Sequence, residues 1–298
     1  MAESTRKSTV QALVLRRPFC KFGKLNKIRS FMLAFANAKI NLGLHITEKR
    51  PDGYHNLETV FYPVKIYDVV ELTDAEQNSC EVRGTDIPGD TRDNICFKAF
   101  QTLQQDFALP PQKITLLKNI PIGAGLGGGS ADAAFLIRLV NDKFGLGLSV
   151  PQMEDYARAL GADCAFFIQN KPVYAFGRGD QFAPLDIDLS NYYLVLVKPP
   201  VHVSTAAAYL GITPSIPSTS LKDLIHLPLE NWKTGLKNDF EGPVFSKYPE
   251  TEKIKTRLYD AGAVYAAMSG SGSSVFGIFR SAVRLTDLEK DNQVFYNV

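Results

Sequence analysis

Three features of the chain are costly for a plain folded core, and each has a chemical use. Between Gly123 and Gly129, five of seven residues are glycine. Each glycine gives up conformational freedom on folding and weakens a helix or strand. That cost is offset where the backbone must take positive φ, or where a ligand must lie directly on the main chain. Lys39 stands inside the strand-like run Ala36-Asn37-Ala38-Lys39-Ile40-Asn41-Leu42. It is either a side chain snorkelling from a sheet edge or a cation fixed near a phosphate. Asp163 stands between a helix stop at Gly161 and the apolar run Ala165-Phe166-Phe167. It is either a turn residue or a buried carboxylate.

The element that positions the glycines is a helix. Ser130 is expected to cap it, and Ala133, Ala134, Leu136, Ile137, Val140 and Phe144 recur at helical spacing until Gly145 ends it. A glycine loop opening onto a helix offers unpaired N–H groups and the positive end of the dipole to an anion, with phosphate the natural candidate. No lysine follows the glycines, so this is no Walker loop. Gly123, Gly125 and Gly128 satisfy G-x-G-x-x-G, but Asp142, near the distance for a dinucleotide fold, sits inside the helical pattern. Protein-kinase H-R-D and D-F-G are absent from the sequence. The plain alternative is a flexible surface loop.

At 298 residues, 45% hydrophobic and 21% charged, the chain has ordinary globular usage and enough length for two domains. It holds no run of eighteen apolar residues. Cys20, Cys80, Cys96 and Cys164 form no C-x-x-C pair, and four scattered histidines make no metal cluster. A cytoplasmic, reducing setting fits. Residues 1–31 carry eight Lys or Arg and one acid, leaving 25 basic and 30 acidic groups elsewhere, so bulk charge argues against nucleic acid as a partner. Val10–Leu15 is the apolar stretch in that basic segment. The segment reads as an appendage outside the fold, a transit peptide (which would place the protein in a plastid) or a nucleic-acid arm.

Further elements follow from punctuation. Phe35, Ile40, Leu42, Leu44 and Ile46 mark a strand ending at the turn Pro51-Asp52-Gly53. Short strands are expected at Val69–Leu72 and Ile114–Leu117, with a helix over Asn94–Gln105 capped by Asp93-Asn94. A helix over Val150–Leu160 is capped by Ser149 and stopped at Gly161. Val173–Phe176 precedes a turn, Gly177-Arg178-Gly179. Tyr192–Val197 and Val264–Met268 are strands, Ser204 caps a short helix carrying Tyr209, and helices begin at Asn238 and Thr251.

P-I-G-A-G-L-G-G-G-S-A-D-A-A resembles the second signature of the GHMP small-molecule kinases. A-K-I-N-L at 38–42 is similar to the first signature, and S-G-S-G-S-S at 269–274 to the third. The three occur in family order between Ala36 and Phe279. R-P-D-G-Y-H-N-L, residues 50–57, resembles the branch of that family acting on a cytidyl diphosphate substrate in non-mevalonate isoprenoid synthesis.

The resemblance implies an α+β fold of two domains, ribosomal-protein-like for nucleotide (32–185) and ferredoxin-like for substrate (186–298). Residues 1–31 stay outside the fold. It implies that ATP phosphates lie on Pro121, Gly123, Ala124, Gly125, Leu126, Gly127, Gly128, Gly129 and Ser130, with Mg2+. The family has Ser-Ser where this chain has Ser130-Ala131, which leaves the metal ligand open with Ser130 as the candidate. Asp163 would take or orient the acceptor hydroxyl proton, and Lys39 would stabilise charge near the γ-phosphate. The family motif G-A-D-V-P-F-F is kept here except for Cys164 and Ala165, a change expected to affect packing. Tyr54 would stack on the cytosine with Tyr209 closing opposite it, and His55 would bond the base edge. Asn41, Ser271 and Gly272 would complete the substrate site. The partner is then a small molecule, without nucleic acid or membrane, and the protein a monomer or homodimer.

Overall fold

The computed structural model describes residues 31–85 and 93–298. The basic segment with Val10–Leu15 lies outside them, except Phe31, which opens the first strand and pairs with Thr73.

The first sheet is built on a long hairpin, β1 (Phe31–Lys49) and β2 (His55–Asp74), closed by the turn at Pro51-Asp52-Gly53. One edge of β2 carries β1 along its length. The other is shared by β4 (Gln112–Lys118) and β5 (Val173–Phe176). β3 (Ser79–Gly84) pairs parallel with β4 through the crossover helix α1 (Ile95–Phe107), and β6 (Gln181–Pro184) pairs with β5. Asn94 caps α1, accepting from the Cys96 N–H at 2.9 Å. α2 (Gly128–Phe144), α3 (Val150–Leu160) and the single turn α4 (Phe166–Gln169) share a core with α1.

β2 is far longer than the expected Val69–Leu72. Pro63 and a register shift opposite Asn37/Ala38 interrupt its pattern in the sequence. Pro63 stands opposite Lys39, whose own N–H turns away from β2 to Leu126 O at 3.0 Å. The proline therefore sits where the ladder tolerates a missing donor.

The second sheet is antiparallel throughout, in the order β10-β7-β9-β8, with β7 Tyr193–Lys198, β8 Tyr265–Met268, β9 Val275–Phe279 and β10 Gln293–Tyr296. Its residues alternate between two cores, as a period of two requires. Leu194, Leu196, Phe276, Ile278, Tyr265 and Ala267 face the first sheet. Val195, Val197, Val275, Ala266 and Met268 face α8 (Glu241–Lys247) and α9 (Pro249–Asp260). α5 (Thr205–Leu210), α6 (Leu221–Leu224) and α7 (Leu229–Gly235) fill the connection between β7 and α8. Among the described residues no helix is long and apolar enough to cross a membrane.

β1 lies between the two sheets and is buried on both faces from Ala36 to Ile46. Ala38, Ile40 and Leu42 point to the second sheet. Gly43, at φ 72°, is an inserted residue, so Leu42 and Leu44 occupy successive ladder positions opposite Val60 and Thr59. Such a bulge turns the following side chain to the other face. Leu44 thereby joins Lys39 and Asn41 on one wall of a cavity.

Candidate active site

The outer edge of β1 pairs with loops instead of a strand. Its N–H groups at Lys39, Asn41, Leu44 and Ile46 go to Leu126 O (3.0 Å), Ser269 Oγ (3.3 Å), Lys237 O (2.8 Å) and Asp239 Oδ2 (2.8 Å). Unpaired edge donors would otherwise invite association. This stitching brings the 123–130 loop and the 269–274 loop side by side. Ser269 Oγ donates to Gly125 O at 2.9 Å and the Ser274 N–H to Ala124 O at 3.3 Å. Asn238 Nδ2 donates to Met268 O and Gly270 O, both at 2.8 Å, and steadies the second loop.

Lys39 is 3% exposed, which rules out the snorkelling alternative. Its ammonium donates to Asn41 Oδ1 at 2.7 Å and Gly125 O at 3.2 Å, and lies 3.4 Å from Asp163 Oδ2. The Phe61 ring centroid is 4.9 Å away. Asn41 in turn donates to Thr59 Oγ1 at 2.9 Å, and Thr59 to Gly43 O at 2.6 Å, so each polar group beneath the lysine is engaged. The Asp163 side chain is 34% exposed and opens into the cavity. The cavity measures about 700 Å³, within the usual range for small-molecule sites.

The glycines do two jobs. Gly123, Gly125 and Gly127 have φ of 60°, 79° and 71°, values that L side chains resist. Gly125 also packs so closely that a Cβ would lie 1.9 Å from Ser269 O. Gly127 caps α2 from the left-handed region, a role expected of Ser130. A serine cap needs extended backbone, whereas this turn needs positive φ, so the helix starts earlier and Ser130 falls in its first turn. The first helical bond runs from the Ala131 N–H to Gly127 O (2.9 Å), leaving the preceding N–H groups for an anion. Pro121, Ala124, Leu126, Gly128, Gly129 and Ser130 all line the cavity with them. Cys164 is fully buried and its thiol is pushed up to about 11 by burial, in keeping with a packing role.

Tyr54 and Tyr209 both line the cavity, as the reading of a clamp around the base requires. Tyr209 stacks on His55, centroids 4.7 Å apart and planes 22° apart, and meets Phe240 edge-on at 4.8 Å. Tyr54 is 59% exposed and lies beside Arg178, 5.4 Å from its ring centroid. Ser271 reaches the cavity and its hydroxyl is 3.3 Å from Thr205 Oγ1. Gly272 stands back from the wall, its N–H donating to Ser269 O at 3.0 Å.

One charged cluster was not anticipated. Lys118, at the end of β4, bonds the carboxylates of Asp68 and Asp132, and all three are at least 95% buried. Asp68 Oδ1 accepts from the N–H groups of Asn119 (2.6 Å) and Ile120 (2.8 Å), fixing the entry to the glycine loop. Burial raises the Asp132 carboxyl to about 7, and the charge of Asp68 adds to it against the pull of Lys118. Burial works against the Lys118 ammonium too, but the two carboxylates outweigh it and its net shift is upward. The signal was an acid among alanines on the buried face of α2, preceded by a lysine at a strand end.

No cluster of three or more His, Cys, Asp or Glu that could hold a metal occurs among the described residues. Magnesium does not need one, because it takes one or two carboxylates, several waters and substrate phosphates. The carboxylate of Asp163 on the cavity wall fits that sparse set.

Residues 94–171 match the family described as GHMP kinases N terminal domain, and residues 216–294 match GHMP kinases C terminal. A 4-diphosphocytidyl-2-C-methyl-D-erythritol kinase of Bacteroides fragilis is 55% identical over 262 residues, covering 87% of this chain and 96% of that protein. A kinase of the same description from Porphyromonas gingivalis is 44% identical, covering 85% and 94%. A crystal structure of 4-(cytidine 5'-diphospho)-2C-methyl-D-erythritol kinase superposes with TM-score 0.76 at 29% identity, covering 89% of this chain and 98% of the other. Homoserine kinase from Cytophaga hutchinsonii shares the fold, with TM-score 0.65 at 16% identity over 92% and 96% of the two chains.

Proposed function

The chain belongs to the GHMP kinase family, and from that premise we propose how its site divides the work. The protein is an ATP-dependent phosphotransferase that acts on 4-diphosphocytidyl-2-C-methyl-D-erythritol, in isoprenoid precursor synthesis. Phosphoryl transfer asks little covalent chemistry of a protein, so positioning and charge neutralisation dominate.

The observation that carries the reading is the Lys39–Asp163 pair, 3.4 Å apart where the glycine loop meets β1. Asp163, the more exposed partner, receives or orients the proton of the acceptor hydroxyl, the 2-hydroxyl of the methylerythritol. Lys39, held by Asn41 and Gly125 O, stays fixed as charge shifts toward the transferring phosphoryl group. The N–H groups at the start of α2 take the ATP phosphates. Asp163, together with the ATP phosphates, would hold magnesium, which would supply further charge neutralisation there. Tyr54, Tyr209 and His55 receive the cytidine. The described cysteines are unpaired and buried or half-buried, which supports a reducing, cytoplasmic setting.

The test is a coupled ATP-turnover assay with the cytidyl diphosphate substrate against mevalonate, homoserine and galactose. The cytidyl substrate should give a kcat/KM at least a hundredfold above the others, on the order of the discrimination a site built around specific polar contacts supplies. Comparable turnover of any other acceptor would overturn the assignment.

A further inference from the structure

The Gly177-Arg178-Gly179 turn joins β5 to β6 and has no part in the chemistry just described. Both glycines have positive φ, 67° and 87°. The Gly179 N–H donates to Phe176 O at 3.1 Å, and the Leu57 N–H donates to Gly177 O at 2.8 Å. The tip is therefore tied to β2 three residues after Tyr54. It presents Arg178 at the cavity rim.

The guanidinium lies over the Tyr54 ring, 5.4 Å from its centroid. Its Nε and one Nη donate to Asp180 Oδ2 at 3.3 and 2.9 Å, and the Asp180 side chain is only 13% exposed. Tyr54 has its backbone fixed by the Arg50–Asp52 turn, through its N–H to Asp52 Oδ1 (3.1 Å) and its carbonyl to the Arg50 N–H (2.8 Å). Tyr54 is 59% exposed, and the Arg178 guanidinium lies against its ring. A free tyrosine ring must give up rotamer freedom when a base stacks on it. A guanidinium, planar and weakly hydrated, is suited to stack on an aromatic face.

We propose that Arg178 is a positioning residue for substrate recognition, backing one face of Tyr54 so that the other is ready for the cytosine. The proposal rests on the reading that this site binds a cytidyl diphosphate. Arg178 acts through Tyr54 and not on the reacting atoms, so its effect should vanish when the ring is gone.

Cytidine diphosphate binding to the full chain is measured by calorimetry for wild type, Arg178→Met, Tyr54→Ala and the double variant. Arg178→Met should weaken Kd about two- to fivefold, the range for an exposed cation–π contact, and have no measurable effect in the Tyr54→Ala background. Arg178→Lys, which keeps the charge but not the plane, should recover part of the loss. The KM for ATP should not move in either variant. Arg178 is itself half-exposed at the tip of a turn, so these proteins should fold, and a thermal melt of each variant checks it. An equal loss in both backgrounds, or none in the wild type, overturns the proposal. A wild type that does not bind cytidine diphosphate overturns the substrate reading, and the proposal with it.

Discussion

Substituting alanine for Gly125 and for Gly129 makes the same chemical change four residues apart, and the geometry requires opposite results. At Gly125 a Cβ would stand 1.9 Å from Ser269 O and 2.9 Å from its carbonyl carbon, at φ 79°. The left-handed backbone alone costs an alanine about 1–2 kcal/mol. The clash is with backbone, so the two loops must separate, and the Ser269 Oγ bond to Gly125 O goes with them. That adds about 0.5–1.5 kcal/mol. Weakening the Lys39 ammonium contact to the same carbonyl brings the total to roughly 3–5 kcal/mol, since bonds to charged groups are worth about 1.5–3 kcal/mol. At Gly129 the nearest atom to a Cβ is Ile95 Cγ2 at 3.9 Å, and the backbone is helical. There alanine should be neutral or stabilising by about 0.5–1 kcal/mol. In thermal melts Gly125→Ala should lose roughly 6–12 °C for the first 3 kcal/mol, and Gly129→Ala none. Gly129→Ala should still raise the KM for ATP, because its methyl group intrudes where phosphate approaches the N–H. A Gly125→Ala protein melting within about 2 °C of wild type would mean that the two loops do not touch as described.

Two further outcomes follow from the charged groups. Asp163→Asn should lower kcat by about 10²–10⁴-fold, the usual worth of a positioned acid or base, while the protein still folds, because Asn41 Oδ1 and Gly125 O continue to accept from the Lys39 ammonium. A kcat within threefold of wild type would remove Asp163 from the reaction. Asp132, raised to about 7 by burial, holds its proton more readily in the folded chain than in the unfolded one. Its contribution is therefore favourable at low pH and is lost as pH rises from about 4 through about 7. Asp132→Asn should remove that slope, because an amide does not ionise, so its stability should gain on that of wild type as pH rises from about 4 through about 7. Parallel melting curves for the two proteins across that range would show that the carboxyl does not titrate there.

Much of this site is legible in residue order because its parts are local. The glycine density, the strand lysine and the aspartate after a helix stop each announce themselves within a few positions. What stays hidden depends on pairing across the chain. β2 looks short in sequence because Pro63 and the shifted register break its alternation, and only the turn of the Lys39 N–H toward Leu126 shows why proline is tolerated there. Ser130 satisfies the rule for a helix cap, but the positive φ demanded one turn earlier overrides it. Tyr54 and Tyr209 are readable as aromatics near the site, but the stacking of His55 on Tyr209 and the place of Arg178 beside Tyr54 depend on packing between distant segments. The alanines flanking Asp132 mark it as buried, but its partners Asp68 and Lys118 come from separate strands and no local pattern names them.

The stitching of β1 also governs when the site can come into being. The contact between Asn41 and Ser269 spans 228 residues, and that between Ser269 and Gly125 spans 144. A ribosome emits Lys39, the glycine loop and Asp163 well before Ser269. Until that serine arrives, Gly125 O lacks one of its two side-chain donors and the Asn41 N–H has no acceptor at the strand edge. Closing loops of this span is entropically slow relative to forming the hairpin or the helices. The contacts that bring the two loops together along β1 therefore wait for the last third of the chain, although most residues lining the cavity lie in the first two thirds.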